Sequence, residues 1–165
     1  MSTLSPARRV VVAGFGSEYR LDDGVGPLVA ARVESADGRA LDVGPLSDPL
    51  DLLGHWNGAE LAVVIDAVRS GVAPGTVRVV EMNVDLPGDE DVGAGDVAAR
   101  GTTSTHGIGL EGVLRLARAI GQAPKRLVVV GIEGERFGVG EGLSPAVQAA
   151  VPEAVRCVVD LIKEL

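Results

Sequence analysis

Aromatic side chains are scarce in this chain, with one Trp, one Tyr and two Phe among 165 residues. A core therefore has to be assembled from Val, Leu, Ile and Ala packed between layers, and few rings remain to stack nucleobases or sugars. Cysteine is limited to Cys157, which excludes an internal disulfide and fits a reducing compartment. No cluster of Lys or Arg interrupts a formal charge of -8, so nucleic acid and anionic membrane are poor partners, because both need phosphates neutralised. No stretch approaches the roughly 20 apolar residues that span a bilayer. Two arginines, Arg8 and Arg9, precede the apolar run Val10 to Phe15, as in an export signal. That run is short, contains Gly14 and is followed by Glu18, Arg20, Asp22 and Asp23, which suits a buried first strand better than a signal core. These absences predict a cytoplasmic protein whose macromolecular partner, if it has one, is another protein.

What is present describes layers. A chain of this length fits one domain, residues 1–165, and buries roughly 70% of the surface its unfolded form exposes. Arg9 to Ala13, Leu61 to Ile65 and Arg126 to Val130 are continuous β-branched or aliphatic runs, the pattern of parallel strands covered on both faces. These three are expected side by side. Thr76 to Met82 follows the turn signal Ala73-Pro74-Gly75 and reads as a strand joined to the Leu61 strand by a short connection, antiparallel to it. A weaker strand is placed near Ala40 to Val43. Helices are predicted from Pro27 to Glu34, where Pro27 suits a first turn, and from Leu110 to Ile120, where Leu110, Val113, Leu114, Ala117 and Ile120 share a face. The tail starts with a Ser144-Pro145 cap and meets Pro152, which predicts two helices or one kinked helix. Alternating strands and helices give an α/β fold, a three-layer α/β/α sandwich around a mostly parallel, mixed sheet of about five strands. Asn83 to Gly101 lacks periodicity and is longer than most structureless loops, so it reads either as a solvated acidic linker or as a guide for a substrate tail.

In open α/β sheets ligands gather beyond the carboxyl ends of the strands. Three polar residues stand out there: Asp23 in the segment after the first strand, Asp66 after the Leu61 run, and His106 in the loop Gly101 to Thr105 before the Leu110 helix. Two carboxylates and an imidazole can hold a divalent transition metal with positions left open, and imidazole suits nickel or zinc better than magnesium or calcium. Each residue also has an ordinary reading: Asp23 as a helix N-cap, Asp66 as an Asx-turn closing a strand, His106 as a loop histidine bonded to a carbonyl. Their expected convergence on one sheet edge is what favours a site.

Other chemistries fit less well. After Gly14 and Gly16, Tyr19 stands where a dinucleotide fingerprint needs its third glycine. There is no G-x-S-x-G elbow and no Walker loop, and Cys157 falls in the last predicted helix, packed rather than nucleophilic. His55 reads as structural, placed at a helix end where it complements the dipole.

Four segments taken in order resemble one known family. VVVAGFGSEYRLDDGVGP is similar to a strand, a G-x-G-Asn turn and an Asp-Asp/Glu-Gly-x-Gly signature; LAVVIDAV resembles a second ligand strand, STHGIGL a histidine loop, and GIEGERFGVGEGLSPAV a closing Ile-Glu segment with a Leu-Ser-Pro helix start. The resemblance is to the hydrogenase maturation endopeptidases. It implies a peptidase that removes a short C-terminal extension from the nickel-loaded large-subunit precursor of a nickel-iron hydrogenase, with Asp23, Asp66 and His106 as both metal-binding and catalytic residues. It further implies that nickel arrives with the substrate, with zinc or cadmium able to replace it in vitro. Two positions depart from the pattern: Ser17 stands where Asn is usual, and Asp23 where some members carry Glu. A non-proteolytic nickel-binding chaperone would use the same pocket, and cleavage of a precursor separates the two. A small-molecule enzyme such as a nucleoside phosphorylase relative is disfavoured by the missing aromatics and phosphate loop.

Overall fold

The computed structural model describes residues 8–85 and 109–165. Five strands form one sheet: β1 (Arg9–Phe15), β2 (Ala40–Leu46), β3 (Ala59–Val68), β4 (Val77–Met82) and β5 (Arg126–Glu133). They lie in the order β2-β1-β3-β5-β4, parallel except for β4, which runs antiparallel to β5. The three aliphatic runs are therefore the central strands, buried on both faces as their composition requires.

Helix α1 (Val25–Ala36) and the long α4 (Pro145–Lys163) cover one face. Val29 and Val33 of α1, with Val151, Val158 and Ile162 of α4, pack on Val10, Val12, Val63, Ile65, Val128 and Val130. The other face is covered by the short α2 (Leu53–Trp56), the single turn Pro49–Leu52 before it, and α3 (Leu110–Ala119). There Trp56, Leu52, Val113 and Leu114 pack against Ala13, Ala62, Val64 and Leu127. Each such fully buried aliphatic side chain contributes about 1.5–3 kcal/mol. The result is the α/β/α sandwich expected from the sequence.

Two local readings change, and the tail takes one of its two expected forms. The turn at Ala73 to Thr76 forms, with Gly75 at φ +84° and the Thr76 amide donating to the Ala73 carbonyl at 3.2 Å. Its short connection does not seat β4 beside β3, however, because β5 lies between them. The tail is one helix: Pro152 and Gln148 are both exposed, so the carbonyl that proline leaves unbonded can face water while the apolar stripe keeps packing. Ser144 occupies the N-cap position of α4 without capping it; its side chain is engaged elsewhere.

Candidate active site

Backbone crowding at the carboxyl ends of β1 and β3 brings the first site segment into place. A Cβ on Gly26, at the start of α1, would stand 2.5 Å from the Ile65 carbonyl oxygen and 2.6 Å from that of Phe15, and a Cβ on Gly14 would collide with the Gly26 backbone. These two glycines let the helix start sit directly on the strand ends. Gly16, at φ +117°, turns the chain where a side chain would strike the Asp23 backbone. Between them, the residues from Ser17 to Gly24 fold into a tight turn: Arg20 N–H donates to the Ser17 carbonyl at 3.1 Å and Asp23 N–H to the Arg20 carbonyl at 3.2 Å.

The two aspartates in that turn have opposite fates. Asp22 is fully buried, and its carboxylate accepts the amides of Glu135 and Arg136, both at 2.8 Å, and the amide and hydroxyl of Ser144 at 2.7 and 2.8 Å. Burial works against its charge, but the bonds from Arg136, Ser144 and Glu135 outweigh that effect and hold the carboxyl below its usual range. Asp22 N–H in turn donates to the Arg136 carbonyl at 2.9 Å. Asp22 thus ties the turn after β1 to the segment after β5. Leu21 beside it is held in a left-handed conformation, φ 54°, with its amide on the Gly140 carbonyl at 3.0 Å.

Asp23 is only partly buried, and one carboxylate oxygen accepts the Ser17 amide at 3.0 Å. It caps no helix, since Gly24 is the residue before α1. Ser17 supports the turn, its hydroxyl accepting the Tyr19 amide at 3.2 Å. Asp66 lies inside β3, two residues before its end, so it closes no strand; it pairs in register with Gly131 of β5. Burial first, and the charge of Asp23 second, push Asp66 up to about 8, against one bond from the Ala67 backbone. The carboxylates are therefore close enough to repel, and a cation between them would relieve both the repulsion and the burial of charge.

His106 lies outside the described residues, as does residue 86 onward of the loop expected from Asn83 to Gly101. Among the described residues no three His, Cys, Asp or Glu side chains form a metal-binding cluster. His55 lies in α2 one residue before its end, with its backbone carbonyl accepting from Arg9 at 3.1 Å, and Cys157, half-buried, sits in α4 as expected. Sequence reasoning gave no role to two supports, although Glu133 and Ser144 both lie in the closing segment GIEGERFGVGEGLSPAV. One is the Asp22–Ser144 lock; the other is Glu133, buried at the end of β5, which accepts the Ser70 amide and hydroxyl at 2.8 Å and the Gly71 amide at 3.0 Å. Their signal was faint, because every partner is far away in sequence.

Over residues 30–161 the sequence matches the family described as hydrogenase maturation protease. It is 30% identical to the hydrogenase expression/formation protein HoxM of Azotobacter vinelandii, an alignment covering 96% of this chain and 74% of that one. It is 29% identical to the hydrogenase 2 maturation protease of Escherichia coli, covering 94% and 92%. Among solved structures, the [NiFe] hydrogenase maturation protease HybD from Thermococcus kodakarensis superposes with a TM-score of 0.65 at 27% identity, over 93% of this chain and 98% of that one. Among the described residues no helix is long and apolar enough to cross a membrane.

Proposed function

The chain belongs to the hydrogenase maturation protease family, and on that premise we propose that it cleaves a short C-terminal extension from the nickel-loaded large-subunit precursor of a [NiFe] hydrogenase. The observation that carries this reading is the pairing of Asp23 and Asp66 at the carboxyl edge of the sheet, where burial and mutual repulsion make a cation the natural third party. Nickel is then part of the substrate. The two carboxylates, with His106, take hold of the nickel that the precursor presents, and the scissile peptide bond is brought to the same edge.

Asp66 supplies a second function. A carboxylate freed of its proton beside the scissile bond suits a group that accepts a proton from the attacking water and returns it to the departing amine. Engagement of nickel displaces the Asp66 proton, so an unloaded precursor meets a carboxyl in the wrong charge state as well as an unmet ligand set. Recognition of nickel and readiness to cleave are coupled in this way.

The test uses purified nickel-loaded precursor and reads release of the extension by mass spectrometry. Wild type is expected to cleave it and to leave nickel-free precursor intact; Asp23→Asn and Asp66→Asn, verified as folded by circular dichroism, are expected to lose about 100-fold or more in rate. Undiminished cleavage by Asp66→Asn would sink both roles given to that residue. Binding without cleavage by wild type would identify a chaperone instead.

A further inference from the structure

Building on the reading above, we propose that Tyr19 and Val139 form a rigid apolar knob that docks into an apolar depression on the folded body of the precursor, beside its cleavage site. Of the chain's four aromatic residues, Phe15 and Trp56 are buried and Phe137 is half-buried with the Arg69 guanidinium 4.5 Å above its ring. Tyr19 alone is largely in water, 60% exposed, and Val139 is 95% exposed. Both stand on loops at the carboxyl edge of the sheet. Arg20 and Gly140 form a parallel bridge, with Gly140 N–H on the Tyr19 carbonyl at 2.9 Å and Leu21 N–H on the Gly140 carbonyl at 3.0 Å. Tyr19 and Val139 are each one residue back from that bridge, which sets their backbones side by side.

An exposed valine and tyrosine on slack loops would be unremarkable. Here the backbone under them is fixed from several sides: by the bridge, by the four bonds to the buried Asp22 carboxylate, by the Ser17 hydroxyl on the Tyr19 amide, and by Leu21, whose side chain lies against the Cα of Gly140 where a Cβ would stand 2.8 Å away. Little freedom is left to lose on binding, which is the condition under which a small aromatic and aliphatic cluster dominates an interface.

The occupant follows from position. Tyr19 is in the same turn as Asp23, so whatever covers it stands over the mouth of the two carboxylates. A second copy of this chain seated there would close the site, whereas a substrate seated there delivers its peptide bond to it. The two apolar side chains ask for an apolar depression, with the exposed Glu18, Arg20 and Glu141 beside them meeting its polar rim.

The experiment compares the double variant Tyr19→Ser/Val139→Ser with wild type and with a control, Leu41→Ser/Ile120→Ser, which removes two exposed apolar side chains from the opposite end of the strands. Cleavage of nickel-loaded large-subunit precursors from the same organism gives KM and kcat; calorimetry in an Asp66→Asn background gives Kd without turnover. The knob variant is expected to raise KM and Kd about tenfold or more with kcat within twofold, and the control to match wild type. Unchanged Kd, or equal weakening by the control, overturns the proposal, as does a wild-type dimer in sedimentation that the knob variant abolishes. If wild type cleaves no precursor, the peptidase reading fails, and the calorimetric comparison still decides whether the knob docks.

Discussion

Burial and the charge of Asp23 push Asp66 up to about 8 from 3.8, and the direction of that shift sets how the metal-free protein responds to pH. The folded state favours the protonated acid, so it binds more protons than the unfolded chain between pH 4 and 8. Stability falls as pH rises through that window, and the deficit is complete above it. Asp66→Asn removes the titrating group. In metal-free buffer its Tm is expected to exceed that of wild type by about 5 °C at pH 9 and to converge with it near pH 4, as followed by circular dichroism; a variant less stable than wild type at pH 9 would contradict the assigned burial of charge. Asp22, one position from Asp23, has the opposite sign, since its stabilising charge is lost only when pH falls below the usual carboxylate range. The residue letters put Asp23 and Asp66 forward as candidates. They gave Asp22 no role, because the donors that fix it come from positions 135, 136 and 144.

Among elements, those with a strong internal pattern were legible: the β1, β3 and β5 runs, and the apolar face of α3. Both β2 and α1 were found but drawn short, β2 ending at Leu46 rather than Val43 and α1 spanning Val25 to Ala36 rather than Pro27 to Glu34. Pairings decided by tertiary contact were not legible. Nothing in Thr76 to Met82 says that β5, about 45 residues later, will slip between it and β3, and nothing local decides between one helix and two at Pro152. The seat of α1 on the strand ends also escapes the sequence, though it positions Asp23. Gly26→Ala forces a methyl to 2.5 Å from the Ile65 carbonyl oxygen, and either the helix or the strand must move. A loss of about 3 kcal/mol or more is expected in denaturant melts, together with cleavage activity lower than the remaining folded fraction explains; a neutral substitution would show that the contact is looser than described.

Across the whole molecule, the chain closes one sheet edge and leaves charge on the other. The outward amides of β2 are taken by side chains, Asp42 N–H by Glu34 at 2.6 Å and Gly44 N–H by Asp42 at 2.9 Å, and Pro45 has none to offer. Exposed Arg78 and Glu81 stand on β4, a pattern that discourages strand addition. The functional end is organised differently, around the buried carboxylate of Asp22, which joins a turn near the start of the chain to residues more than 110 positions later. Glu135 and Arg136 belong to no helix or strand, yet their amides end on an acceptor sealed from water. In hydrogen–deuterium exchange they are expected to be protected like strand amides, and to lose that protection together with Ser144 in Asp22→Ala; fast exchange in wild type would refute the lock. The irregular segment between β5 and α4 would then open only as one cooperative unit with the turn that carries Asp23, so the mouth of the site has the stiffness of a core element while retaining the outline of a loop.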